Sequence, residues 1–452
     1  MLESPQICII GAGMGGICAA IQLKQKLNIT SFTLFDENHD VGGTWLVNTY
    51  PGCACDVPSH VYSYSFEKNP NWSKQYPDQK EILEYIRNVA TKHDLLENVR
   101  LQHRVNNLRW DEGEGKWHVT FLNMNTGLEM TLKFDIVISA VGVLRVPNYP
   151  AQFENFKGPK LHTANWNSEI NLEDKIVAIV GTGASALQVI PEIVDKVKEL
   201  IVYQRRPAWI FPKDQFEYST WLQQAFEKVP GLQWAWRCIL FLWFEYTFWG
   251  FRLNSWIRMG LSAYVKRHLK NQVKDPVLRA KLAPNYEMGC KRVGLSSEYY
   301  PAMSKPNTRL LCPFKIIGRG GKDLHQKWKA EGPTAYLGII SHAAPNLFFL
   351  VGPNTATAHN SLLFQMECQV GWVVNAVKEM VLRKARTIAV KRQAEDKYMQ
   401  FVQSSFDGTV WNSSCGSWYA DERGVITLLW PKSLVTYYFS TRRVDCSKLE
   451  FS

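Results

Sequence analysis

A short apolar strand running into Gly11-Ala12-Gly13-Met14-Gly15-Gly16, and a second running into Gly181-Thr182-Gly183-Ala184-Ser185-Ala186, predict an α/β fold. The expected architecture is two Rossmann-like dinucleotide-binding domains. An aromatic-rich stretch after the second fingerprint adds a helical insertion, at residues 215–285, to the second domain. The 452 residues suffice for two or three domains. With 46% hydrophobic and 21% charged residues, the chain has the composition of a folded protein.

The first fingerprint stands between a strand, Gln6 to Ile10, and a helix-like run from Ile17 to Leu23. That is the context in which GxGxxG carries meaning. Gly11 allows the tight turn, Gly13 close approach of a pyrophosphate, and Gly16 close helix packing. The helix start offers free N–H groups and a positive dipole to phosphates. The second strand, Phe32 to Phe35, ends on Asp36. An acid there accepts hydrogen bonds from ribose hydroxyls and repels a 2′-phosphate, so this site favours FAD or NAD over NADP.

Next comes Gly42-Gly43-Thr44-Trp45 through Tyr50-Pro51-Gly52 to Asp56. Glycines let backbone approach a flat ring system, Pro51-Gly52 signals a turn, and Asp56 is an acid the loop can place beside a cofactor. In the second fingerprint Ala186 replaces the third glycine. The strand after it, Leu200 to Tyr203, ends on Gln204-Arg205-Arg206 rather than an acid. Guanidinium groups at that position suit the 2′-phosphate of NADP. Opposite charge at the two strand ends implies two cofactors, as in a flavoprotein reduced by NADPH.

The charge excess, 52 basic against 41 acidic residues, is scattered without a long Lys/Arg block, which argues against a nucleic-acid groove. Ten cysteines at irregular spacings contain no CxxC pair, so no metal site is expected and the thiols read as reduced. Met1 to Pro5 leads directly into a strand without a secretory segment, giving a cytoplasmic expectation.

Between the fingerprints, Phe156-x-Gly158-x-x-x-His162-x-x-x-Trp166 completes a set of motifs. Together with Gly43-x-Trp45, Tyr50-Pro51-Gly52-x-x-x-Asp56, Gly289-Cys290-Lys291-Arg292, Tyr336-Leu337-Gly338 and Gly352-Pro353-Asn354, it resembles class B flavoprotein monooxygenases of the Baeyer–Villiger type. The related N- and S-oxygenating branch lacks the tryptophan, so Trp166 favours the Baeyer–Villiger side; Asn167 is a minor departure, because Pro or Asp often follows that tryptophan. The resemblance implies FAD and NADPH as cofactors, and oxygen and a ketone as substrates. It also implies Arg292 as the catalytic arginine, with Asp56 orienting it and Lys291 beside the NADP ribose. Trp45, Ser185 and Trp166 then join the cofactor-binding residues, and His162 becomes a hinge residue that couples NADP binding to domain movement. A fixed guanidinium suits negative charge developing on oxygen.

The expected domains are 1–150, the first part of the FAD-binding domain; 151–312, the NADP-binding domain; and 313–452, the returning FAD-binding part with a C-terminal substrate-side segment. The stretch 233–265 has three readings: a core helix of the insertion, which the related enzymes favour; an amphipathic helix on a membrane, helped by Arg258, Lys266 and Arg267; or a wall of the substrate entrance. One departure stands out. Arg309-Leu310-Leu311 runs through Cys312 straight into Pro313 to Gly318, where the family carries an acid-to-Ala-Thr-Gly strand. A few tens of residues are expected to be missing there, which would leave strands unpaired and the second domain impaired.

Overall fold

The structure, a computed structural model of the chain, describes residues 5–142, 147, 156–204, 206–252, 255–311, 335–342, 346–356, 360–412 and 425–451. The first half runs β1 (Ile7–Ile10), α1 (Met14–Leu27), β2 (Phe32–Phe35), a one-turn α2 (Thr44–Val47), α3 (Gln79–Lys92) and β3 (Val99–Arg100). A meander follows, β4 (His103–Asp111), β5 (Lys116–Asn123) and β6 (Glu129–Phe134), then β7 (Ile136–Ser139). The middle of the chain contains β8 (Ile176–Val180), α4 (Ala184–Ile193), β9 (Glu199–Tyr203) and β10 (Ile210–Phe211). Four helices come next: α5 (Thr220–Lys228), α6 (Leu232–Phe248), α7 (Trp256–Gln272) and α8 (Pro276–Leu282). Then come β11 (Gly294–Leu295), α9 (Tyr299–Met303) and β12 (Thr308–Leu311). The last part holds β13 (Leu347–Phe349), α10 (Leu362–Arg383), β14 (Ile388–Val390), α11 (Arg392–Ser404), α12 (Leu434–Thr441) and β15 (Leu449–Phe451).

Two parallel sheets carry the two fingerprints. The first has the order β13-β7-β1-β2-β3, so the chain leaves this sheet after β7 and returns to it with β13. Ile7, Ile9, Leu34, Ile136 and Ile138 are buried in it, as expected of parallel strands covered on both faces. Helix α10 packs along α1 on one side. Ser361 caps its start: the hydroxyl accepts from Phe364 N.

The second sheet is β12-β9-β8, also parallel. Strand β8 carries the second fingerprint, yet among the described residues it is an edge. Ile176 and Val180 are 61% and 57% exposed. In a doubly wound sheet the fingerprint strand normally lies inside, paired on both sides. The break expected after Leu311 adjoins residues 312–334, which lie outside the described residues.

The four helices α5–α8 form the helical insertion between β10 and β11. Asp275 caps α8 by accepting from Val277 N and Leu278 N, and Ser219 caps α5 from Leu222 N. Helix α6 corrects the favoured expectation of a core helix: only Gln233 and Phe248 are buried in it. Its inward side mixes three bonded polar side chains with Trp236, Phe241 and Phe248, which pack on the main core. Gln233 Nε2 donates to Asn69 O at 2.6 Å, and Arg237 Nη1 donates to His60 O and Ser63 O at 2.8 and 2.7 Å. Glu245 Oε1 accepts from Asn360 Nδ2 and Leu434 N. A buried polar group is costly without a partner, and the partners of these three belong to the first half of the chain and its returning segment. Satisfying them leaves Ile239, Leu242, Trp243 and Tyr246 of α6 on the outward side.

Seven described cysteines, Cys8, Cys18, Cys53, Cys55, Cys238, Cys368 and Cys446, are free thiols as expected, whereas Cys290 is disulfide-bonded.

Candidate functional site

The first fingerprint forms a bare cradle. Gly11 has φ +106°, and a Cβ on it would stand 2.5 Å from Ala140 O; one on Gly16 would come to 1.9 Å from Gly11 O. Only glycine fits either position. Gly42 N donates to Ala12 O at 3.0 Å, tying the following loop to the fingerprint. Gly43 then lies so close that a Cβ on it would be 2.9 Å from Gly13 Cα. The two loops therefore present backbone to each other with no side chain between them, at the start of α1. Asp36, nearly buried at the end of β2, accepts from Ala12 N at 2.7 Å and from Asn38 N and Nδ2 at 2.9 and 2.7 Å. A carboxylate has about four acceptor sites, so capacity remains for a hydroxyl donor.

Trp45 is buried, and its Nε1 donates to Tyr62 OH at 3.1 Å. The loop then turns at Pro51-Gly52, with Gly52 at φ +74° and Cys53 N donating to Tyr50 O. It is held from two sides. Cys55 N donates to Pro77 O at 3.0 Å. On the other side, Gln188 of α4 accepts from Tyr50 OH at 2.9 Å and donates to Ala54 O at 2.9 Å. The loop of the first half is thus docked on the helix of the second fingerprint.

At the end of this loop Asp56 meets Arg292. Arg292 Nη2 donates to Asp56 Oδ2 at 2.5 Å, across 236 positions of sequence. Arg292 precedes β11, whose Gly294 N donates to Trp209 O at 2.8 Å, so the pair joins the loop to the edge of the helical insertion. Both side chains keep solvent contact, so the pair sits at an accessible surface rather than in the core. Lys291 Nζ lies 5.5 Å from the Tyr286 ring centre.

The second fingerprint is open by comparison. Gly181 has φ +104°, and a Cβ on Gly181 or Gly183 would meet nothing within 4 Å. Gly181 N donates to Tyr203 O, and Thr182 Oγ1 to Arg206 O. Ser185 sits beside the Tyr50 hydroxyl, whose pKa burial drives upward. Arg206 is exposed at the strand end, while Arg205 lies outside the described residues. His162 accepts from Ala164 N through Nδ1 at 3.0 Å, in a tight turn closed by Asn165 N to His162 O. Partial burial lowers its pKa. Trp166 packs with Tyr50 against the core of the second sheet.

The expected site residues thus fall into two places: Gly11, Gly13, Gly16, Asp36, Gly43 and Trp45 around the first cradle, and Gly181, Gly183, Ser185 and Arg206 around the second. Asp56, Arg292 and Lys291 lie at the seam. Sequence reasoning missed Gln188 and Lys213. Lys213 lies near Cys55 and Asp56, over the Tyr76 ring at 5.4 Å, and burial lowers its pKa. Neither belongs to a motif of its own; only the docking of the two halves reveals them.

A family description, flavin-binding monooxygenase-like, matches residues 4–221. A Baeyer–Villiger monooxygenase of Pseudomonas aeruginosa is 36% identical, covering 98% of this chain and 90% of the relative. One from Streptomyces coelicolor is 32% identical, covering 99% and 93%. Both alignments, of 483 and 490 positions, exceed the 452 residues of the chain, so gaps in this chain stand opposite residues of the relatives. Among solved structures, OTEMO in complex with FAD and NADP superposes with a TM-score of 0.84 over 100% of both chains at 25% identity. Cyclohexanone monooxygenase from Rhodococcus sp. Phi1 bound to NADP+ gives 0.83 over 99% of both at 22%, a likeness of fold. On these grounds the chain belongs to the Baeyer–Villiger monooxygenases of the flavin-binding monooxygenase-like family.

Proposed function

We propose that this chain is an FAD-dependent monooxygenase that uses NADPH and molecular oxygen to insert one oxygen atom into a ketone, giving an ester or lactone. The observation that carries this reading is the Arg292–Asp56 pair, assembled at the seam between two dinucleotide cradles. The residues fit the cofactors: the first cradle is backbone only where a pyrophosphate needs close approach, and Asp36 retains acceptor capacity for ribose. When bound, FAD supplies the electron carrier that NADPH reduces and that activates oxygen. The chain's own work is then positioning and electrostatics. Gly11, Gly13, Gly16 and Gly43 admit the phosphates, and Trp45 walls the loop. Gly181, Gly183, Ser185, Arg205 and Arg206 would hold NADP, with His162 and Trp166 at the connection between the halves. Arg292 carries a charge that does not titrate in the working range, and it stabilises negative charge developing on substrate oxygen. Asp56 fixes the direction of that guanidinium, and Lys291 lies beside it. Arg292→Ala is expected to keep NADPH-driven bleaching of the flavin while ester formation falls by at least about 100-fold, the usual cost of one oxyanion donor. Normal ester yield from that variant would refute the role.

A second reading, a chain impaired in its NADP half, is favoured by the exposed outer side of β8 and by the gaps opposite the relatives. A visible absorption spectrum before and after anaerobic NADPH separates the two. Yellow protein that bleaches supports the working enzyme, and yellow protein that does not bleach supports the impaired one. A cytoplasmic location with peripheral membrane contact through residues 233–265 completes the reading; no helix among the described residues is long and apolar enough to cross a membrane.

A further inference from the structure

The outward side of α6 is apolar along its whole length. Ile239, Leu242, Trp243, Tyr246 and, just beyond the helix, Trp249 are all exposed, Leu242 and Trp243 by 61% and 60%. They recur at three- and four-residue intervals and so form one stripe. On an ordinary surface helix that stripe would face the core. Here it cannot turn inward, because Gln233, Arg237 and Glu245 on the opposite side are bonded to the rest of the protein.

The apolar face does not end with α6. Glu245 accepts from Leu434 N at the start of α12, and the Phe241 ring lies tilted against Phe364, which in turn lies beside Tyr438. Tyr438 and Phe439 of α12 are exposed on that side. Trp249 and Gly250 pack against the start of α7, where Trp256 and Met259 are exposed. The later turns of α7 present a different chemistry: Lys266, Arg267 and Lys270 are exposed. Arg258, by contrast, is paired with Glu287 and largely buried, so it is not part of this basic group.

We propose that this face, α6 with the adjoining ends of α7 and α12, seats the enzyme on an anionic membrane surface. Three features select a lipid over a protein partner. Tryptophan and tyrosine dominate the stripe, the residues that settle at the level of lipid headgroups. Basic side chains flank it, and the chain as a whole carries +11, complementary to an anionic leaflet. The stripe is also helical, lacks acidic residues on its outward side, and is too short to span, the form of a helix lying in the interface plane. The inference does not depend on the reaction catalysed.

The test is sedimentation of the purified full chain with vesicles of phosphatidylcholine alone or mixed with phosphatidylserine, at low and high salt. Binding is expected with the mixed vesicles, weakening as salt rises. The double variant L242E/W243E should abolish it, with flavin absorbance unchanged as the readout that the fold persists. The double variant R267Q/K270Q should keep the apolar face yet lose anionic preference, by roughly fivefold in partition for each basic residue removed. Failure of the parent chain to sediment with mixed vesicles would overturn the proposal. So would sedimentation that L242E/W243E leaves intact. A dimer in solution that L242E/W243E converts to monomer would assign the face to a second copy instead, and would likewise overturn it.

Discussion

His60 offers a quantitative test of how the insertion is fastened to the rest of the protein. It is 2% exposed, packed edge-on against Tyr218 at 4.9 Å and Phe226 at 4.6 Å. Its Nδ1 lies 3.2 Å from the Gln233 amide nitrogen, and the Arg237 guanidinium donates to its carbonyl. Burial, helped by the Arg237 charge, lowers its pKa to about 4. The folded protein therefore holds a neutral ring, while the unfolded chain takes up a proton near the ordinary value of about 6.5. Stability from this group is fully present above about pH 6.5 and is lost as pH falls toward 4. At one pH unit per about 1.4 kcal/mol, roughly 2 kcal/mol is gone by about pH 5. The substitution His60→Gln keeps an acceptor for Gln233 and removes the titration. Urea unfolding followed by tryptophan fluorescence, at neutral pH and near pH 5, should show the parent losing about 2 kcal/mol more than the variant. Other histidines titrate in both proteins and cancel in the difference. Equal losses in the two would refute the argument that His60 is held neutral by burial.

Two further outcomes follow from the geometry. Gly16→Ala places a methyl group 1.9 Å from Gly11 O, so the helix must move off the turn; the variant should purify colourless and fail to take up added FAD, and a yellow preparation would contradict the cradle. Gln188→Ala removes hydrogen bonds to Tyr50 and Ala54, each worth about 1 kcal/mol net. It should leave flavin absorbance intact while raising several-fold the NADPH concentration needed for half-maximal bleaching, measured by anaerobic titration.

Much of the site was legible because its residues act through backbone conformation and local order. Gly11 and Gly16 can be read as glycines with a purpose, since a strand precedes them and a helix follows; the space beside Gly16 is filled by its own turn, whereas Ala140, which closes on Gly11, comes from the distant end of β7. Asp36 is legible for the same reason, standing at the end of the next strand. Arg292 and Asp56, 236 positions apart, could be joined beforehand only through resemblance to a family; no spacing rule connects them. Gln188 was invisible, because its role exists only once α4 meets the Tyr50–Asp56 loop.

Helix α6 marks the limit most clearly. Its composition specified a helix rich in tryptophan and phenylalanine, and resemblance to the related enzymes favoured a core helix. Which side faces inward was decided elsewhere, by Asn69, His60, Ser63, Asn360 and the start of α12, which accept or donate to Gln233, Arg237 and Glu245. A buried charge or amide without a partner costs more than an exposed aromatic ring, so the side that carries Gln233, Arg237 and Glu245 went in, with Trp236, Phe241 and Phe248 beside them. The sequence by itself determined the two fingerprints, the acid at the end of β2 and the helical insertion, because each is specified by neighbouring residues. Only the tertiary structure decided the orientation of α6, the exposed outer side of β8 and the Gln188 clamp, because each depends on partners distant in sequence.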